Sequence, residues 1–573
     1  MDLLEKFALK HPKAILVWVT ILVYFNSLFN GFVGDDFDQI VKNGLVHSIF
    51  NIPRFFLGGT FFNGFSNQAG IYYKPVLSSL FALIYSVSFN SSFTFRLVQI
   101  AFHAGNGILI FYLFKKIFNS RKIAFFVSLI FLIHPINAES VLYISALQDV
   151  SFMFFGLLAL SFASKKALTL KSWLVICLLL ILSILCKETG ILFFPLIIAF
   201  RLLFISKEKL KNLAAFEGAT LLIYAFLRIA TVGVYRTQNE IYPFLNLSLY
   251  QRLLNIPELF YRYLVLFFFP KDLAFTQNWV VTAISLQKFY LPLIISLAFL
   301  ALAALLGFSL RKDKSSLKIY CFFAAWFLAG MLMHLQIIPL DMTLAERWMY
   351  FPLLGLLGML AVLYPSVASL CQDDNKKKLG LVILSAVSVI FGVRTFVRTF
   401  DWRDQYTLYS HDVSVRGDSF NLQNGLATEL MNRGDYRDAK VHIEQSIALK
   451  GDYCYSWNNL GLIDLQDKNY PKARDSFQKA INNGGCYLAY ENMGTFLYFH
   501  DTPKSAESFM TGAVKILPAD ARLYFMLSLA ESKLGEKDKA IEAIKRSNQI
   551  APTSGTVFVY QKLMNNEPID LRE

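Results

Sequence analysis

Over its first 400 residues the chain alternates long apolar runs with short basic interruptions. Runs such as "AILVWVTILVYFNSLF" from Ala14, "SWLVICLLLILSILC" from Ser172 and "LPLIISLAFLALAALLGFSL" from Leu291 carry almost no charge. Each approaches the roughly 20 apolar residues that a bilayer-crossing helix requires. "PVLSSLFALIYSV" from Pro75 is shorter and predicts a surface or re-entrant helix, and "LFYRYLVLFFFP" from Leu259 is read the same way. The opening "MDLLEKFALKHPK" leads straight into a run and is expected not to be a cleaved leader. From Asp401 the apolar runs stop, and a charged, helix-forming pattern continues to Glu573. The pattern therefore predicts an all-α chain, with a polytopic membrane domain over 1–400 and a soluble helical domain over 420–573.

The soluble part has a period. Ala439, Ala473, Ala506 and Ala540 recur at spacings of 34, 33 and 34, with Leu426, Leu460, Met493 and Leu527 each 13 residues earlier. That is the length of a tetratricopeptide (TPR) repeat, in which a small residue sits where the two helices of a pair cross. Gly461 and Gly494 supply close contacts, Ala480 and Ala513 the later small position, and Pro518 and Pro552 the helix ends. The first repeat departs from this, with Ala427 for glycine and Ser446 for alanine. About four repeats and a capping helix from Thr556 are expected to stack as an α-solenoid, whose default role is to bind a partner.

Composition agrees with a membrane protein: 55% of the 573 residues are hydrophobic and 16% aromatic. The net charge of +14 invites a nucleic-acid reading. Its lysines and arginines, however, gather in short loops such as Lys115 to Lys122, Lys165 to Lys171, Lys207 to Lys211, Arg311 to Lys318 and Lys376 to Lys378, and the positive-inside rule explains that better. With Lys6, Lys10 and Lys13 these loops place the N-terminus in the cytoplasm. About eleven crossings are then expected, which puts the repeat domain on the outer face together with Asp35, a first external segment at 31–94 and a second at 231–287.

That face collects the costly polar groups. "FVGDDFDQI" offers Asp35, Asp36 and Asp38; "HPINAES" offers His134 and Glu139; "CKETG" offers Lys187 and Glu188; "AERWMY" offers Glu346 and Arg347. Ionisable groups at the ends of several spans on one face are expected where a polar cavity opens between helices. His103 and Asn106, inside a run beside Ala104, Gly105 and Gly107, are read as helix-packing residues. Cys177, Cys186, Cys321 and Cys371 are read as buried and apolar in role. Cys454 and Cys486 lie near successive repeat junctions. A disulfide there needs an oxidising compartment, and the expectation is against one because adjacent junctions are read as too far apart. Asn90 and Asn246 open sequons on the outer side.

In this order the motifs resemble those of the membrane O-mannosyltransferases that carry tetratricopeptide repeats, within the GT-C class of glycosyltransferases that use polyprenyl-phosphate sugars. "FVGDDFDQI" resembles the acidic pair of that family's first external loop, and "YYKPVLSSLFALIYS" the segment that follows it. "AFHAGNGILIFYLF", "HPINAESVLYISALQD", "CKETGILFFPL", "LVLFFFPKDLAF" and "LAERWMYFPLLGL" resemble its later motifs in sequence. Leu147 stands where the family usually has arginine, so another cation must replace it if that arginine holds a phosphate. Gly34 stands where tryptophan is common.

The resemblance implies an inverting transfer of mannose or another hexose from a polyprenyl-phosphate donor to serine or threonine hydroxyls of exported proteins. The repeats would recruit the acceptor, and no nucleic acid would take part. Asp35 is the expected base, and Asp36 would orient it, bind the acceptor or hold the loop. Arg347 and then Lys187 are the expected phosphate ligands. His134, Glu139, Glu188, Glu346 and Asp149 would shape the pocket. No metal is expected, although the three aspartates have the oxygen chemistry for a divalent cation. Two alternatives stay open: a non-catalytic scaffold built on a degenerate transferase, and a transferase for a glycan or lipid. A bacterial inner membrane is the expected setting.

Overall fold

The computed structural model describes residues 9–60, 72–233, 243–245, 247–370 and 374–569. Lys6, Asn246 and Cys371 lie outside them, as do parts of the 31–94 and 231–287 segments and the side chains of Lys376 to Lys378. The described residues form helices and turns, and their only strand-like pairing is a single bridge between Gln277 and Leu344. Two compact units result, the first reaching Arg416 and the second running on from Gly417.

In the first unit seven described helices are long and apolar enough to cross a membrane: Pro12–Phe29, Ser92–Phe118, Ile144–Ala163, Leu210–Val232, Leu286–Lys312, Lys314–Leu332 and Leu379–Asp401. An eighth results if Arg121–Ile133 and Pro135–Leu142, bent by 52°, count as one span. Length and composition thus give seven or eight crossings where eleven are expected. Part of the difference is that Pro75–Ser88, Leu170–Cys186 and Pro352–Tyr364 are apolar but short. Pro75–Ser88, with 14 residues, rises only about 21 Å against a hydrocarbon core of about 30 Å. Leu249–Phe268, which contains Pro257, is absent from the candidate spans because one of its faces is polar.

Proline and cap residues decide where these helices stop. Arg121–Ile133 starts on the Ser120 hydroxyl, which accepts from the Ile123 N–H at 3.3 Å, and ends because Pro135 cannot continue it. A single turn, Pro135–Asn137, and the short helix Ala138–Leu142 follow. Leu170–Cys186 likewise gives way to the turn Glu188–Leu192, where a Cβ on Gly190 would lie 2.7 Å from Ser183 backbone. Glu346–Met349 is a third such turn, immediately ahead of the helix that starts at Pro352. Each broken end carries one of the polar motifs. After the last span, Gln405–Val415 is held to the first unit by buried Arg398, whose guanidinium donates to Asp412 at 2.8 Å.

The second unit consists of four helix pairs, from Phe420–Asn432 with Tyr436–Leu449 to Ala521–Lys533 with Lys537–Ile550, and a last helix, Ser554–Met564. Ala439, Ala473, Ala506 and Ala540 are fully buried at the crossings. A Cβ on Gly461 would meet the Phe477 ring at 2.6 Å. Ser446, the departure in the first repeat, is buried without cost because its hydroxyl donates to the Phe420 carbonyl at 2.7 Å.

Cys454 and Cys486 are joined in a disulfide with their Cα atoms 6.0 Å apart, against the expectation from their spacing. Cys454 opens one first helix and Cys486 caps the next, so stacking of successive repeats brings the two helix starts side by side. Cys454→Ser is expected to lower the stability of this unit by about 2–4 kcal/mol. Thermal unfolding of the full chain with and without reductant measures it, and reductant should leave the variant unchanged.

Candidate active site

The first span runs through the turn Phe25–Phe29 into an irregular segment that carries the acidic pair. Arg96, fully buried on Ser92–Phe118, holds this segment by its main chain. Its guanidinium donates to the carbonyls of Asn30 (3.1 Å from Nε), Gly31 and Leu142. Gly34 then turns the chain with φ +54°, a conformation glycine adopts without penalty. A Cβ there would crowd the Tyr143 hydroxyl at 3.2 Å and Phe275 at 3.3 Å, which excludes the tryptophan common at this place.

Beyond that turn the two aspartates part company. Asp36 is fully buried, and its carboxylate accepts from Ser145 N–H and Oγ, both at 2.7 Å, and from Val33 N–H at 3.1 Å. Burial lifts its pKa to about 6 against the opposing pull of Ser145, Arg96 and Val33. It is still largely ionised at neutral pH, as three donors require. Of the parts expected for Asp36, this geometry suits the holding of the loop. Asp35 is exposed to solvent, although protein lies densely around its carboxylate. Burial raises its pKa above the ordinary carboxylate range, Arg347 and a Tyr143 hydrogen bond oppose the rise, and Asp341 and Asp38 reinforce it. The Asp35 N–H donates to the Tyr143 hydroxyl at 2.9 Å. Asp38 is exposed and pairs with Lys42 at 3.3 Å.

Tyr143 links the pair to Arg347, whose guanidinium carbon lies 5.6 Å from the Tyr143 ring centre. Glu139 grips Arg347 twice, accepting from its guanidinium and, at 3.0 Å, from its backbone N–H. Glu139 therefore stands behind the arginine as its counter-ion. Lys187 pairs with Asp149 at 2.5 Å, and Glu188 with Arg228 at 3.0 Å. Asp149 acts electrostatically on both Arg347 and Lys74, and Lys74 also feels Glu188, Lys187 and Asp341. Burial lowers the Lys74 pKa first, Glu188 raises it and neighbouring Lys187 lowers it. Asp35, Glu139, Asp149, Lys187, Glu188 and Arg347 thus belong to one electrostatic neighbourhood.

Of the other expected pocket residues, His134 does not join it and Glu346 touches it through Glu139. His134 is buried between the Phe267 and Phe391 rings, with Nε2 3.1 Å from the Phe267 carbonyl and Nδ1 accepting from Ile136 N–H. It caps the broken helix. Glu346 is buried, accepts from Ala274 N–H at 2.5 Å, and is acted on by Arg398 and, within the neighbourhood, by Glu139. Burial first, despite Arg398, raises its pKa well above the carboxylate range. Leu147 is fully buried in apolar packing. His103 and Asn106 both bond the Tyr350 hydroxyl, at 2.7 and 3.0 Å. Two cavities, of about 460 and 650 Å³, lie elsewhere and contain none of the residues of this neighbourhood. Among the described residues no three His, Cys, Asp or Glu side chains are grouped to hold a metal.

Tyr143, Lys74 and Arg96 were not singled out in the sequence. Lys74 had a signal, being the cation of "YYKP" in a motif already noted. Tyr143 likewise lies within "HPINAESVLYISALQD", and Arg96 is a charge inside an apolar run.

Residues 74–232 match the family model of dolichyl-phosphate-mannose-protein mannosyltransferases, and 521–554 match a tetratricopeptide repeat model. Human protein O-mannosyl-transferase TMTC3 is 24% identical over 81% of this chain and 54% of its own length. A Caenorhabditis elegans protein O-mannosyl-transferase is 25% identical over 77% of this chain and 63% of its own. The chain spans about half the length of the curated relatives it matches, 54% and 52% for the human and mouse proteins. The crystal structure of ArnT from Cupriavidus metallidurans, bound to undecaprenyl phosphate, aligns at 14% identity over 81% of this chain and 79% of that one, with a TM-score of 0.37. By two family models and by these relatives, the chain is similar to the O-mannosyltransferases that carry tetratricopeptide repeats.

Proposed function

We propose that the protein is a membrane glycosyltransferase that moves mannose or another hexose from a polyprenyl-phosphate donor to a hydroxyl of an exported protein. The observation that carries this reading is the meeting of solvent-reaching Asp35 with Arg347 across Tyr143. Asp35 takes the acceptor proton as the hydroxyl oxygen bonds to the anomeric carbon. The bond from that carbon to the phosphate oxygen breaks, and the negative charge leaves with the phosphate. A single displacement inverts the anomeric centre. Arg347, Lys187 and Lys74 are the cations that receive the charge, and Lys74 fills the gap left by Leu147. Burial lowers the Lys74 pKa, and its neighbours Glu188 and Asp149 favour the protonated form.

The repeat unit holds the acceptor on the outer face in this reading. The basic loops and the Cys454–Cys486 disulfide, which belongs in an oxidising compartment, support that side. Purified protein in liposomes, given radiolabelled polyprenyl-phosphate mannose and serine/threonine peptides from exported proteins, tests the proposal. Labelled peptide supports it, label in glycan or lipid alone redirects the acceptor, and no turnover with any acceptor favours the scaffold. Lys74→Gln and Lys187→Gln are each expected to raise the donor KM by about tenfold, the loss of one charge-assisted contact. The acceptor KM should stay unchanged, and a change confined to the acceptor would remove both lysines from the phosphate.

A further inference from the structure

The helices that carry Arg96 and Asp149 near one end form a second recess at their other end. Lys115 lies 19 residues after Arg96 on the same helix, which places it about 28 Å away along the axis. The recess, about 650 Å³, is lined by Tyr112, Leu113, Lys115, Lys116, Leu157 and Ser164, among others. Its wall is apolar and its rim cationic. The Lys116 ammonium folds onto Ser164, donating to its carbonyl and, at 3.0 Å, to Oγ. Lys13 stands 5.0 Å from the Tyr112 ring centre, and Lys166 and Arg201 are near enough to act on Lys116.

Arg201 shows that this end is built. It is 2% exposed and donates to the carbonyls of Ala163 (2.7 Å), Lys165 (2.9 Å) and Lys166 (3.4 Å), fixing the turn beside the recess. Among the described residues no carboxylate lies within 4.0 Å of Lys13, Lys115, Lys116, Lys166 or Arg201. Glu208 reaches only Arg201, as a longer-range interaction. Lysines that merely orient a membrane chain can extend into water and need no hollow. Here Lys115 and Lys116 line one that has leucine on its other side, with Lys166 and Arg201 adding positive charge nearby, so a fitting partner is an anion with an apolar body.

We propose that this recess binds the phosphodiester head of an anionic phospholipid, with its acyl chains along Leu113 and Leu157. The site lies outside the donor neighbourhood and does not depend on the transferase reading.

The test is native mass spectrometry of the purified full chain titrated with phosphatidylglycerol or phosphatidylcholine. Preference for phosphatidylglycerol by about 30-fold is expected from two contacting lysines at about 1 kcal/mol each. Lys115→Gln/Lys116→Gln should abolish the preference and Lys115→Arg/Lys116→Arg keep it, with melting temperatures confirming that each folds. Lys312→Gln/Lys318→Gln, in another basic loop, should change nothing. Leu157→Trp, which fills the apolar wall, should weaken lipid retention while leaving the charges in place. Equal retention of the two lipids, or equal loss from the two glutamine pairs, overturns the proposal. Displacement of phosphatidylglycerol by inorganic phosphate at matching concentration also overturns it, since the recess would then take the free anion.

Discussion

Asp35→Asn is expected to lower sugar transfer by about 10²–10⁴-fold, the range for loss of a general base. The fold should survive, because the contact from residue 35 to Tyr143 comes in part from its backbone N–H, which asparagine keeps. Single-turnover transfer in liposomes and a thermal melt read the two effects, and transfer near the parent rate would remove Asp35 from the role. The pH profile supplies an independent check. The working form is the carboxylate, and burial raises its pKa, so the acidic limb of kcat/KM should rise through a pH above the usual range for aspartate near 3.9. Asp36→Asn should act differently. It removes an acceptor from Ser145 and Val33 and should cost stability as well as rate.

Arg347→Ala is expected to be the most damaging single change to stability near the site. Glu139 has no exposure and its carboxylate is bonded to this arginine, so truncation strands a buried charge at a cost of about 3–5 kcal/mol. Lost transfer in that variant would say little by itself. The paired change Arg347→Met/Glu139→Leu separates the two effects, because replacing both ions by apolar groups of similar volume is often neutral. The double variant should melt near the parent temperature and still bind the donor poorly. Donor affinity equal to the parent's in the stable double variant would sink Arg347 as a phosphate ligand.

What could be read ahead of the structure follows from range along the chain. The apolar runs, the repeat period and the helix ends at Pro135 and Pro352 are local signals, and helices and repeats formed where they pointed. The polar motifs were legible as motifs, since each sits in a few consecutive residues at a broken helix end. Their sorting was not. Asp35 and Asp36 are adjacent and chemically identical, yet one reaches solvent and the other spends every acceptor on Ser145 and Val33, more than 100 positions apart in the first case. His134 and Glu139 share one motif, but the 52° break turns the first toward Phe391 and the second toward Arg347. Tyr143 joins residues 35 and 347 only in three dimensions. The disulfide runs against the expectation that adjacent repeat junctions lie too far apart, because a solenoid superposes equivalent positions of neighbouring repeats.

Arg96 grasps main-chain oxygens rather than carboxylates, and a guanidinium keeps its proton throughout any workable acidity. Acid that protonates Asp35 therefore leaves this staple closed, and activity lost by that step alone returns on neutralisation without refolding.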